Sequence, residues 1–134
     1  ILVQGGIFRR LSGPVGEKRL AIAGMVSGCA AFITLGAASG LPSFFVALAL
    51  MGLSVGLVSP SLSGLVSLYS KDSEQGANLG VYRSAGSLAR AIGPITAAII
   101  YFSQGSEVAY FFGGLFVLIP FCIGLKLPQP DKGE

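Results

Sequence analysis

The sequence predicts an all-α protein, a polytopic bundle of membrane-crossing helices. Three observations carry that prediction. Of the 134 residues, 52% are hydrophobic and only 11% are charged, against about a quarter in ordinary soluble domains. No Asp, Glu, Lys or Arg occurs from Leu20 to Ser70, from Ala91 to Ser106, or from Val108 to Leu125. The basic residues that remain fall in alternate gaps between these runs. So few charges cannot cover a soluble surface, and so many apolar residues exclude disorder. The 20 glycines suit membrane helices, whose backbones approach closely through small residues.

Each element follows from this pattern. Ile1 to Phe8 is apolar, with neither an initiator Met nor a basic segment ahead of it. It reads as the last turns of a membrane helix in a chain cut from a longer polytopic protein. Residues 9–19, RRLSGPVGEKR, form a polar loop with Gly13, Pro14 and Gly16 as turn formers. A helix needs about 20 apolar residues to cross about 30 Å of hydrocarbon. Residues 20–38 supply the first crossing, and Ser39 to Ser43 collects turn formers before a second crossing over 43–69.

Pro60 lies inside that second span. Its ring removes a donor to the Gly56 carbonyl, and neighbouring Ser59, Ser61 and Ser63 can satisfy the freed groups. Pro60 is thus either a packing kink or a bend that lines or gates a pathway. Asp72, with Gln75 three residues on, resembles a capping box and starts a third helix over 73–102, its first turns still in water. Gln104 to Glu107 makes a turn, 108–125 is the fourth crossing, and 126–134 is a polar tail interrupted by proline.

One side of this arrangement receives Arg9, Arg10, Lys18, Arg19, Lys71, interfacial Arg83, Lys126 and Lys132. The other side has only Glu107. The positive-inside bias therefore places the basic loops and the C-terminus in the cytoplasm of a multi-pass protein in the lipid bilayer. The net charge of +3 is explained by this topology. The basic residues are not interleaved with aromatics on a binding surface, so no nucleic-acid partner is expected. Cys29 and Cys122 sit in apolar spans without a CxxC partner and read as small buried hydrophobes.

The third span holds the one basic residue placed deep in a crossing. Arg83 and Arg90 are two turns apart on one face, and Gly93, Pro94, Ala97 and Tyr101 continue the stripe. Arg90 lies about 25 Å along the helix from Ser73 and about 18 Å short of Phe102, whereas Arg83 can anchor at headgroups. An arginine at that depth faces cargo or a gate, bonds an acid or carbonyls structurally, or snorkels to the interface. Gly93-Pro94 removes a side chain and a backbone donor at one level, where a bend is expected. Tyr69, Tyr101, Phe102, Tyr110, Phe111 and Phe112 gather near span ends as an interfacial belt, with Tyr101 also facing as Arg90 does. There is no histidine, no carboxylate pair in a span, and no metal, nucleotide or hydrolytic arrangement. An enzyme is not expected, nor is a cofactor.

Two stretches resemble the second half of a major facilitator superfamily transporter. Gly5-Gly6-Ile7-Phe8-Arg9-Arg10 and Gly16-Glu17-Lys18-Arg19 match the start and end of the family's loop motif, Gly-x-Leu-Ala-Asp-Arg-x-Gly-Arg-Lys. Arg9 stands where the motif has Asp, and Ser12-Gly13-Pro14 lengthens the loop. The run from Gly80 through Arg83, Arg90, Gly93 and Pro94 is similar to the eleventh helix of drug/proton antiporters, particularly the eukaryotic tetracycline-transporter-like branch. The resemblance implies a partial C-terminal six-helix half, running from the end of an eighth helix through a twelfth. The missing N-terminal half of the same polypeptide would complete the cavity. It further implies rocking of two halves about a midplane site, with a small organic, amphipathic or anionic cargo exchanged for protons. Arg90, Tyr101, Pro60, Gly93 and Pro94 would serve substrate binding or gating. Gly5, Arg9, Arg10, Gly16, Lys18 and Arg19 would belong to the cytoplasmic gate loop. The alternative is a non-transporting receptor or scaffold that kept the architecture; acidic residues near mid-depth in the missing half would discriminate.

Overall fold

A computed structural model describes residues 15–127. Four helices occupy them: α1 (Glu17–Gly36), α2 (Leu41–Tyr69), α3 (Gln75–Gln104) and α4 (Ser106–Lys126). Each is long and apolar enough to cross a membrane, so the chain is an integral, multi-pass membrane protein. The expected segment 1–8, with Gly5, Arg9, Arg10 and the tail beyond Leu127, lies outside the described residues.

One expectation is corrected. The described residues form four spanning helices, not a six-helix half. Length is the physical reason. At 20, 29, 30 and 21 residues, the four helices use nearly all of 17–126. α2 and α3 each exceed the roughly 20 residues a crossing demands by about half.

The breaks between helices follow local chemistry. Gly40 adopts extended backbone ahead of α2. The Ser43 hydroxyl donates to the Gly40 carbonyl at 2.8 Å and accepts from the Gly40 N–H at 3.4 Å. Pro42 sits in the first turn, where a missing N–H costs nothing. α3 and α4 are separated by Gly105 alone, at φ +92°. That left-handed backbone is open to glycine and strained for residues with a Cβ.

α3 begins at Gln75, two residues later than the capping box suggests, and Glu74 makes no side-chain cap. The Gln75 amide donates instead to the Ser67 hydroxyl, and Asn78 donates to the Ser70 hydroxyl at 2.9 Å. These two bonds clamp the start of α3 to the end of α2.

α1 is the centre of the bundle. It packs antiparallel on α2 along one side and on α4 along the other. Among the described residues, all the buried apolar side chains belong to the first pair: Leu20, Ala21, Met25 and Ala31 of α1, and Ala47, Leu57 and Leu65 of α2. Glycine makes that approach possible. A Cβ on Gly24 would lie 2.7 Å from Val58 Cγ2, and one on Gly28 would lie 2.7 Å from Ser54 Oγ. Toward α4 the same holds at Gly113, where a Cβ would meet Phe32 Cε1 at 2.6 Å. α4 buries no residue, so Cys122 is exposed rather than buried, and Cys29 is intermediate; both are free thiols.

Polar groups inside the α1–α2 seam are mostly satisfied. The Ser27 hydroxyl donates to the Leu50 carbonyl at 2.9 Å. Ser61 differs: it is fully buried and its hydroxyl has no partner among the described residues. An unsatisfied buried hydroxyl costs about 1–3 kcal/mol. Ser61→Ala is therefore expected to leave the melting temperature of the purified protein unchanged or raise it. A clear fall would mean that the hydroxyl bonds a group in the bilayer-embedded state.

Candidate functional site

α3 is built in two halves. From Gln75 to Arg90 it carries Gln75, Asn78, Tyr82, Arg83, Ser84, Ser87 and Arg90; from Ala91 to Phe102 only Thr96 and Tyr101 bring a polar group. It is the most amphipathic of the four helices, yet none of its residues is buried. Among the described residues its backbone packs sparsely, on α2 and α4.

Arg90 stands at the middle of this helix, about 22 Å from Gln75. Its guanidinium folds back along its own helix and donates to the Ser87 hydroxyl at 3.1 Å, and Ser87 donates in turn to the Arg83 carbonyl at 3.0 Å. The guanidinium packs beside Gly86, where an added Cβ would lie in ordinary contact, 3.5 Å from an Arg90 Nη. Pro94, four residues on, cannot donate to the Arg90 carbonyl. The same position thus offers a guanidinium with donors to spare and a carbonyl released from the helix ladder. Both groups are exposed, on a helix that continues unbroken through Pro94.

Beyond Arg90 the helix turns its apolar half toward α4. A groove of about 800 Å³ opens between them, lined by Ala89, Ile92, Gly93, Thr96, Ala97 and Tyr101 of α3 and by Tyr110, Phe112, Gly113 and Phe116 of α4. Gly93 widens it, since nothing lies within 4 Å of where its Cβ would be. Tyr101 stacks edge-on against Phe102, with ring centroids 5.6 Å apart. Thr96 spends its hydroxyl on the Ile92 carbonyl at 3.1 Å. The groove is consequently almost wholly apolar, with Arg90 level with one end and outside the lining.

The structure thus brings Gly93 and Tyr101 into one groove; Arg90 stands level with its Ala89 end but is not among the lining residues. Arg83 sits two turns further along α3, exposed. Pro60 lies on α2, away from this groove, inside a helix that does not break there. Of the loop residues, Gly16 takes φ +83° ahead of α1 and Arg19 is exposed. Lys18 reaches across to the end of α4 and donates to the Leu127 carbonyl, with Leu125 O at 3.5 Å. There it caps carbonyls that the helix end leaves open. Glu17 lies over Gly64 of α2, whose Cβ would meet it at 3.1 Å. Lys18 and Glu17 thus tie the start of α1 to both neighbours.

Sequence reasoning missed the α4 wall. Tyr110 and Phe112 read as interfacial belt residues, yet both face the groove. The signal was the spacing of Ala109, Phe112, Gly113 and Phe116, one face of a helix.

Four apolar spanning helices, one of them amphipathic and laid over an apolar groove, define a polytopic helical membrane protein. The sequence profile of the Major Facilitator Superfamily matches residues 5–134. The chain is 34% identical over 130 residues to "Major facilitator superfamily domain-containing protein 10" of Mus musculus, covering 97% of this chain and 28% of that protein. It is 34% identical over 131 residues to the Homo sapiens protein of that name, with the same coverage. The Bos taurus protein is 36% identical over 92 residues, 69% of this chain and 20% of that protein. No solved structure matches significantly. The chain belongs to the Major Facilitator Superfamily, a family of membrane transport proteins and not of enzymes. It spans little more than a quarter of the length of the first two relatives.

Proposed function

We propose that the polypeptide carrying this chain is a secondary transporter of small amphipathic or anionic organic molecules, drugs among them, exchanged for protons. The observation that supports this most is the mismatch between the length of α3 and its burial. Thirty residues are enough to span the bilayer, yet none is buried, and the polar stripe Arg83–Ser87–Arg90 stays unpacked. Such a stripe at membrane depth calls for a water-filled cavity or a polar protein surface opposite it. The N-terminal half of the same polypeptide would provide that opposite wall, with the two halves rocking about the site between them.

In this reading Arg90 attracts the anionic part of the cargo or closes a gate. Tyr101 and Gly93 line the apolar part of the route, and Pro94 and Pro60 supply flexible points. Gly5, Arg9, Arg10 and Gly16, with Lys18 and Arg19 of the first turn of α1, belong to the cytoplasmic gate, and the C-terminus is cytoplasmic.

The test is made on the full-length polypeptide in proteoliposomes. An imposed proton gradient should drive flux of a fluorescent organic anion. Flux indifferent to that gradient would remove the proton coupling, and no flux of any organic ion would leave a receptor or scaffold. In intact cells, Lys71→Cys should react with an impermeant maleimide only after the plasma membrane is opened to admit reagent to the cytoplasm. Labelling from the opposite side would invert the orientation.

A further inference from the structure

A second groove, about 490 Å³, lies between α1 and α4 and shares Phe32 and Tyr110 with the first as a common wall. Gly36 and Gly114 leave space along its floor, Phe32, Tyr110 and Leu118 form its apolar walls, and Glu107 is its one charged lining residue. From Glu107 to Leu118 the helix advances about 16 Å. One leaflet of hydrocarbon is about half of the roughly 30 Å core. The groove therefore extends from the membrane edge to about the midplane, the reach of a single lipid chain.

Glu107 sits at the outer end of this groove, exposed in the first turn of α4. Among the described residues it carries the sole charge of the two turns on that side of the bundle. A primary ammonium offers three donors to a carboxylate, whereas a trimethylammonium offers none. The first-turn N–H groups of α4, which have no side-chain cap, lie beside it and suit a phosphate. We propose that the groove holds one phospholipid with a primary-amine headgroup. Its acyl chain lies between α1 and α4 and its ammonium on the Glu107 carboxylate.

The full-length polypeptide would be reconstituted in phosphatidylcholine nanodiscs containing a minor fraction of phosphatidylethanolamine. Co-purifying lipid would then be identified by native mass spectrometry. The wild type should retain phosphatidylethanolamine over phosphatidylcholine about threefold beyond the input ratio, the scale of one partly exposed ion pair. Glu107→Gln, which keeps the side-chain shape, should return the ratio to the input value. Gly114→Leu should lower retention of both lipids with little change in melting. A wild-type ratio equal to the input, or a preference unchanged in Glu107→Gln, would overturn the assignment. Because the readout is bound lipid and not flux, its failure is separable from failure of the transport reading.

Discussion

Gly24→Val should destabilise the protein by about 2–3 kcal/mol, the usual cost of forcing extra carbons into a filled core. The position leaves no way around the clash. A first side-chain carbon would already stand 2.7 Å from Val58 Cγ2, 3.0 Å from Leu57 Cβ and 3.1 Å from the Val58 backbone nitrogen. Leu57 and Val58 cannot swing away, because Leu57 is itself buried and a backbone atom has no alternative rotamer. The helices must separate, and these two helices carry every buried apolar residue among those described. Gly52→Ala on α2 is the matched control, because nothing lies within 4 Å of its added carbon. Thermal melting of the detergent-solubilised full-length protein checks both. A Gly24→Val variant that melts like the wild type would mean that the α1–α2 seam is not the stabilising core.

Arg90→Ala should cut transport by about tenfold or more, as expected when one charge-assisted hydrogen bond to the cargo is lost. The same substitution should leave melting and the amount in the membrane nearly unchanged. The reason is local: among the described residues the hydrogen bond that Arg90 makes is to Ser87, a turn away on its own helix. No inter-helix contact depends on it there. Arg90→Lys separates charge from shape. A point charge would preserve part of the flux if attraction is what matters, whereas the planar fork of donors would be lost if a carboxylate must be held at two points. Loss of folded protein in Arg90→Ala would make the arginine structural, and unaltered flux would remove it from the pathway.

Much of the bundle was legible in the sequence because crossing a bilayer is a one-dimensional constraint. Four apolar runs of sufficient length, separated by charges or by Gly, Ser and Pro, announce four helices without any knowledge of packing. Gly105 and Pro42 marked their turns because each restricts its own backbone. The number of helices attributed to the half-domain was misjudged, because a family resemblance carries its full architecture whereas a run of residues carries only its own length. The capping box at Asp72 was also misleading. Gln75 had the right spacing, but its amide found the Ser67 hydroxyl of the preceding helix, a partner invisible to local pattern.

The candidate site was less legible. Arg90 stood out as a charge at membrane depth, and Tyr101 and Gly93 shared its face by helical periodicity. Which side of α3 meets another helix could not be read the same way. Lys18 shows the limit well: in sequence it is one cation in a basic loop, and in space it caps the end of α4 more than a hundred residues on.

The sequence by itself determined that this chain lies in a membrane, where it crosses and where its charges fall. Those properties depend on each residue's own transfer between water and hydrocarbon. The tertiary structure decided that α1 is the centre, that Gly24, Gly28 and Gly113 are its contact points, and that α3 stands apart with Arg90 exposed. Apolar residues look alike to lipid and to protein, so hydrophobicity cannot choose neighbours for a membrane helix. Shape does that, through the few positions where a missing side chain lets two backbones close.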